Sequence, residues 1–359
     1  MSRTFTRRKR VPRKRYTMET QYVVEENQKG EEVKKVGKQY GLVRYDELPE
    51  YMKENEYILG HYRSEWPVKE AFFSLFRWHN ETINIWTHLI GFLVFLGLTI
   101  VNASNIPHVG NFFLNSNRSD QVNAVENTSH SVGNHIMGIA TSVNLSDTLL
   151  PTDANPVARW PFFVFLSGSM FCLLSSATCH LFCCHSRRLS LFLIRFDYVG
   201  IAVMIVASFF PPIYYIFQCD PLWRLLYLAG ITVMGVLTVL TLLAPQFSTG
   251  AFRNFRAFLF MAMGFSGLIP AAHAMVANWR EPMRNVTLAY ELAMAVSYVT
   301  GTLFYITRVP EKWRPGTFDV AGHSHQIFHL FVVAGALAHY GAALVFIEWR
   351  KIQGCESAV

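Results

Sequence analysis

The chain divides into a polar opening of about eighty residues and a series of long apolar runs. Runs of about twenty residues lie at 83–101, 161–182, 198–217, 225–243, 257–276, 287–306 and 326–347, and Glu291 is the one charged residue inside them. A helix of twenty residues rises about 30 Å, the hydrocarbon thickness of a bilayer. Backbone groups in lipid must pair within their own segment, so each run predicts a spanning helix. The fold class expected is an all-α membrane protein, a seven-transmembrane helix bundle. Pro211-Pro212 and Pro270 predict local kinks. Gly264, Gly267 and the Ala-rich stretch 334–343 predict close helix contacts, although generic packing accounts for them equally well.

The polar segments complete the organisation. Residues 1–40 read as a basic disordered arm, 41–82 as cytosolic amphipathic helices, 83–349 as the transmembrane domain and 350–359 as a tail. Within 41–82, residues 46–60 predict a short helix. Val68, Ala71, Phe72, Leu75 and Phe76 follow at helical spacing and give one apolar face suited to the membrane surface. The connection 102–159, rich in Asn, Ser, Thr and His, reads as a solvated loop.

Seven is odd, so the termini fall on opposite sides. The short segments on the amino-terminal side carry eleven Lys and Arg, against seven opposite, a density about twofold higher that favours a cytosolic amino terminus. The first eighty residues hold no apolar run long enough for a signal peptide, and the sequons at Asn117, Asn127, Asn144 and Asn285 all fall on the other side. The carboxy terminus is then extracellular or lumenal, the reverse of a G-protein-coupled receptor.

Composition agrees: 51% of residues are hydrophobic and 16% charged, where soluble domains carry about 25%. The net charge of +7 comes from the arm, because Arg3, Arg7, Arg8, Lys9, Arg10, Arg13, Lys14 and Arg15 alone exceed it. A basic arm on a near-neutral body suits a membrane surface better than nucleic acid. The string Arg7–Arg10 also resembles a nuclear import signal, a reading the spans outweigh.

The alternation of the spans predicts which distant polar residues share a depth. The second run ends on the amino-terminal side with Ser176 and His180, the third begins there at Asp197, and the seventh begins there with His325 and His329. Residues four apart share a helix face, so three imidazoles and a carboxylate converge just inside the membrane. Neutral histidines favour zinc, and three of them with a fourth position for water make an open, catalytic type of site. Asp197 would bind that water or take its proton, and Ser176 would support it or polarise a substrate carbonyl. Helix capping or hydrogen bonding within the bundle explains any single histidine, and explains less well three beside an acid at one depth.

Other polar residues fit quieter roles. Cys172, Cys179, Cys183 and Cys184 lie at a cytosolic helix end where free thiols are the default; Cys179, Cys183, Cys184 and His185 are also dense enough for a metal, and Cys183 or Cys184 for palmitoylation. Cys219 and Cys355 both fall outside, where they either pair or stay free. His88, His273 and His339 read as hydrogen-bonding to neighbouring helices, His323 as a neighbour of the site, and Asp319 as a solvated loop residue. No chain of ionisable residues crosses the spans, which argues against a transporter.

The blocks ELPEYMKENEYILGHYR, FRWHNETINIWTHLIGF, SSATCHLFCCHS, FDYVGIA and GHSHQIFH resemble the progestin and adipoQ receptor family, specifically its plant heptahelical proteins related to adiponectin receptors. The likeness covers about residues 40–350. It implies a cytosolic amino terminus and a zinc held by His180, His325 and His329 through a water also touched by Asp197, with Ser176 one turn before the first histidine. It implies hydrolysis of ceramide to sphingosine and a fatty acid. The expected function is thus a receptor-like protein of hormone, stress or lipid signalling with a zinc-dependent hydrolase site, the alternative being a receptor whose zinc is purely structural. Expected partners are membrane lipids such as ceramide and fatty acid, an unidentified extracellular or lumenal ligand and a second copy of the chain, with no nucleic acid. The expected location is the plasma membrane or an endomembrane.

Overall fold

The computed structural model describes residues 40–104, 157–244, 247, 250–353 and 355. The basic arm, most of the 102–159 loop with Asn117, Asn127 and Asn144, and most of the extreme tail lie outside the described residues. Ahead of the first span comes α1 (Val68–Phe73). The spans follow as α2 (Thr82–Ser104), α3 (Trp160–Phe182), α4 (Arg187–Ser208) continued by α5 (Phe210–Ile216), α6 (Pro221–Leu243), α7 (Arg253–Phe265) continued by α8 (Leu268–Ala277), α9 (Arg284–Thr307) and α10 (Ser324–Ile352). These make seven helices long and apolar enough to cross a membrane, and the described residues form no strand beyond an isolated bridge between Val43 and Tyr62.

The proline kinks are present. Pro211 sits in the first turn of α5, directly after the break at Phe209, and Pro270 lies in the first turn of α8, after the break at Ser266 and Gly267. The third span, however, begins at Arg187 and not at residue 198. Arg187 and Arg188 are exposed at its start, where their long stems let the charges leave the apolar zone, so a helix can begin well before its uncharged stretch does. Asp197 therefore stands inside α4, not at its end.

The expected helix over 46–60 is absent. Two single 3-10 turns, Tyr45–Glu47 and Glu50–Met52, flank Pro49, which has no N–H to carry a helix through. The apolar face after it is shorter than expected: Ala71 is buried, Leu75 is half-buried, and Phe72, Phe73, Phe76 and Trp78 are exposed.

Packing is uneven around the bundle. Phe95 of α2, Phe165 and Leu173 of α3, and Ala336, Ala343 and Phe346 of α10 share one core. On the opposite side Leu222, Leu225, Phe258, Leu268, Ile269 and Val276 are 65–77% exposed, a surface of large apolar side chains suited to lipid and not to water. The Ala-rich stretch packs as expected, with Ala336, Ala342 and Ala343 fully buried. Gly264 does not, since nothing lies within 4 Å of where its Cβ would be. Where the chain leaves α10, Cys355 forms a disulfide with Cys219, which ties the tail to the α5–α6 connection.

Candidate metal centre

Two anchors fix the helix ends that carry the histidines. Glu311, fully buried, accepts the Ser324 N–H at 2.7 Å and the Ser324 hydroxyl, so a carboxylate caps the amino-terminal end of α10. At the far end of α3 the buried guanidinium of Arg63 donates to the carbonyls of His180 at 2.6 Å and Leu181 at 2.9 Å. It also donates to Ser74 Oγ at 2.5 Å. Carbonyls that no further helical turn can satisfy are thereby paired. The last turn of α3 is held by the segment that precedes the first span.

His180, His325 and His329 converge between these anchors. One ring nitrogen from each lies within 4.8 Å of the others, and His180 and His329 are buried. His180 Nδ1 is 2.7 Å from Glu81 Oε2, so it carries the proton donated to that carboxylate and leaves Nε2 as a lone pair. His329 Nδ1 faces the Asn84 carbonyl at 3.2 Å; a carbonyl only accepts, so the proton is on Nδ1 and Nε2 is again free. His325 Nε2 stands 3.3 Å from His180 Nε2. Nitrogens bound at about 2.0–2.1 Å on tetrahedral directions are separated by about 3.3–3.4 Å, so the pair fits one metal ion. The donor set suits a first-row divalent cation, with ring orientations fixed from behind by a carboxylate and a carbonyl.

Glu81 was not singled out by the sequence reading. It precedes α2, accepts from Asn84 Nδ2 at 2.6 Å as well as from His180, and lies at the same depth as the histidines. Burial would raise its carboxyl, but the neighbouring His180 ring and the hydrogen bonds from His180 and Asn84 outweigh this and hold it well below the ordinary carboxylate range. Its own N–H donates to His79 Nδ1 at 3.1 Å. Burial, with the Arg63 charge, pushes His79 down to about 3, so it stays a neutral acceptor. The useful signal was positional: an acid one residue before the first span must share a face with the end of the second.

Ser176 and Asp197 are brought together beside the triad. Both line a cavity of about 450 Å³ that also reaches His325 and His329. Gly200, one turn beyond Asp197, makes this approach possible: a Cβ there would stand 3.1 Å from the Cys172 Cα of α3 and overlap Ser175 Oγ. Glycine lets α4 lie backbone to backbone on α3.

The remaining residues sort clearly. His323 Nε2 meets the Asn80 carbonyl at 3.2 Å and so fixes the loop before α10. Asp319 is buried, contrary to the solvated reading, because its carboxylate accepts the Leu59 N–H at 2.9 Å and ties that loop to the segment before α1. His273 pairs with the Tyr227 hydroxyl at 2.9 Å across α8 and α6, as expected. His88 does not follow that pattern: it stacks on His329 at 3.7 Å between ring centres, and neither of its nitrogens has a hydrogen-bond partner among the described residues. Cys172, Cys179, Cys183 and Cys184 are free, with His185 turned to the Trp66 carbonyl at 2.9 Å. Burial pushes the Cys183 and Cys184 thiols up, the opposite of what a thiolate ligand needs.

A family model described as Haemolysin-III related matches residues 76–340. The chain is 57% identical to heptahelical transmembrane protein ADIPOR1 of Oryza sativa subsp. japonica, over 89% of this chain and 87% of that protein. It is 53% identical to heptahelical transmembrane protein 1 of Arabidopsis thaliana, over 89% and 86%. Against the adiponectin receptor protein of Drosophila melanogaster it is 33% identical, over 83% of this chain and 58% of that protein. The matched region holds all three histidines of the triad, and on these findings the chain, a multi-pass integral membrane protein, belongs to the haemolysin-III related family, the progestin and adipoQ receptor family that its motifs resemble.

Proposed function

We propose that this heptahelical protein is receptor-like, acts in hormone, stress or lipid signalling, and carries a zinc site that hydrolyses a ceramide-type lipid amide at the cytosolic side of the plasma membrane or an endomembrane. One observation carries the reading: imidazole lone pairs from α3 and α10 meet in a buried space, with tautomers set by Glu81 and Asn84. When bound there, zinc supplies Lewis acidity, polarising a carbonyl and lowering the pKa of a water to about 7.

The chain's own residues do the rest. Asp197, which lines the cavity with His325 and His329, would hold a water and accept its proton, and Ser176 beside it would support that water or polarise the substrate carbonyl. The amine leaving the cleaved C–N bond takes up a proton, and the acyl carbon keeps the hydroxyl. The cavity, lined by Ile201, Met204, Phe260 and Val332 among others, is mostly apolar and has the volume of sites that enclose most of a small ligand. The name of the Drosophila relative, adiponectin receptor protein, supports the receptor half of the proposal.

A second reading rests on the same contacts. The histidines tie α3 to α10, and Glu81 and Asn84 tie both to the start of α2, so zinc could serve as a staple through which an outer ligand or a second copy of the chain acts. Metal analysis with labelled ceramide separates the two. The hydrolase reading expects about one zinc per chain and release of fatty acid, with zinc kept but turnover reduced at least about 100-fold in Asp197→Ala. His180→Ala and His329→Ala should lose both. Wild type with full zinc that releases no fatty acid would overturn the hydrolase and leave the staple.

A further inference from the structure

The cavity that opens on the triad runs through the bundle to a second polar cluster. His339 of α10 and Glu291 of α9 both line it. His339 is ten residues beyond His329 on the same helix, which places it about 15 Å deeper along the axis. The side chain of His339 is only 2% exposed, and its Nδ1 lies 3.1 Å from Glu291 Oε1. That contact is off the hydrogen-bond direction: neither His339 nitrogen nor this oxygen has a hydrogen-bond partner among the described residues. Arg284, two turns earlier on α9, is occupied with the Trp279 carbonyl and Asn285.

An acid and an imidazole inside an apolar bundle are costly to keep there. A mere strut between helices would align its hydrogen bond, and this pair leaves acceptor capacity unused. Glu291 keeps 25% of its side chain exposed, with His339 packed behind it against the Phe165 ring at 4.7 Å between centres. Between the two polar ends most of the lining is apolar, including Met204, Phe260 and Val332. The cavity is thus polar at both ends and greasy between.

We propose that Glu291, backed by His339, is a second ligand subsite that accepts a hydrogen bond from a donor group, hydroxyl or amine, at the tail end of an alkyl chain whose polar head lies at the histidine triad. The inference rests on the lipid-cavity reading above and deepens it by naming a ligand class: chains of roughly twelve carbons, matched to the 15 Å spacing, polar at both ends. The carboxylate accepts the tail donor, and His339 packs behind the carboxylate. A plain alkyl tail would leave the pair without its partner.

The test uses the purified full chain in detergent micelles and displacement of a fluorescent fatty acid by tridecanoate, 12-hydroxydodecanoate and 12-aminododecanoate. Wild type should bind the two donor-tailed acids about tenfold more tightly than tridecanoate, as a charge-assisted hydrogen bond in a dry site would provide. In Glu291→Leu both preferences should collapse to within about twofold while tridecanoate affinity and metal content stay unchanged. Glu291→Gln, nearly isosteric and still an acceptor, should keep part of the hydroxyl preference and lose the amine preference, which separates the two donor sources and guards against a folding defect in the Leu variant. Tridecanoate binding without any preference for donor tails in wild type would overturn the subsite and leave the lipid cavity standing. A preference unchanged in both Glu291 variants would do the same. Failure of every chain to displace the probe would overturn the lipid cavity and the subsite together.

Discussion

Glu81 does for His180 what the Asn84 carbonyl does for His329: each accepts a hydrogen bond from Nδ1–H and so leaves Nε2 free as a ligand. A carboxylate in that position also strengthens the ligand, and removing such a partner costs about 10–100-fold in metal affinity. Glu81→Ala should weaken zinc by that factor in a competitive chelator titration, with Glu81→Gln losing less because an amide oxygen still accepts. An unchanged affinity in Glu81→Ala would show that the ring is held by something else. The histidines themselves were legible from spacing and parity alone, since residues four apart on one helix and the alternation of spans leave them little freedom. Glu81 was not, because it sits in a connection with no periodicity and its role exists only through a residue 99 positions away. Asp319 was misread for a similar reason: its partner is a backbone amide 260 positions away, and no local pattern announces it.

At the scale of elements, counting apolar residues located all the spans but misjudged where they begin. A run of uncharged residues marks the part of a helix in hydrocarbon, while α4 continues outward through Arg187, Arg188 and Arg195. The consequence was an Asp197 expected at a helix end and found on the third turn, beside Ser176. The contact between α3 and α4 that makes this pairing is set by Gly200. Gly200→Val should push the helices apart, at a cost of about 1–3 kcal/mol, and should lower the melting temperature and turnover together while zinc stays bound. A variant with wild-type melting and activity would mean that the neighbouring Ser175 side chain simply turns aside.

For the whole molecule, the two ends of the bundle are closed by different chemistry. One is held by hydrogen bonds among Arg63, Glu81, Glu311 and the helix ends, and the other by the Cys219–Cys355 disulfide. A disulfide belongs on the oxidising side of a membrane, which agrees with the orientation read from Lys and Arg. In sealed vesicles of cytosol-side-in orientation, an amino-terminal epitope should resist added protease, and a membrane-impermeant reductant followed by maleimide should label Cys219 and Cys355. Protection of the carboxy terminus instead would invert the topology. The charge asymmetry from which this orientation is read is a property of the connecting segments, whereas the lining of the cavity was not legible, because it depends on which side chains of separate helices fail to touch.

The lopsided packing has one more consequence. α3 is the span most enclosed by its neighbours and shares one core with α2 and α10, whereas few residues of α7–α8 are buried against the rest of the bundle. When the interior accommodates a guest, the volume must come from the loosely gripped flank. The bilayer leaning on that flank then acts as the spring, so lateral pressure and acyl thickness set the ease of filling.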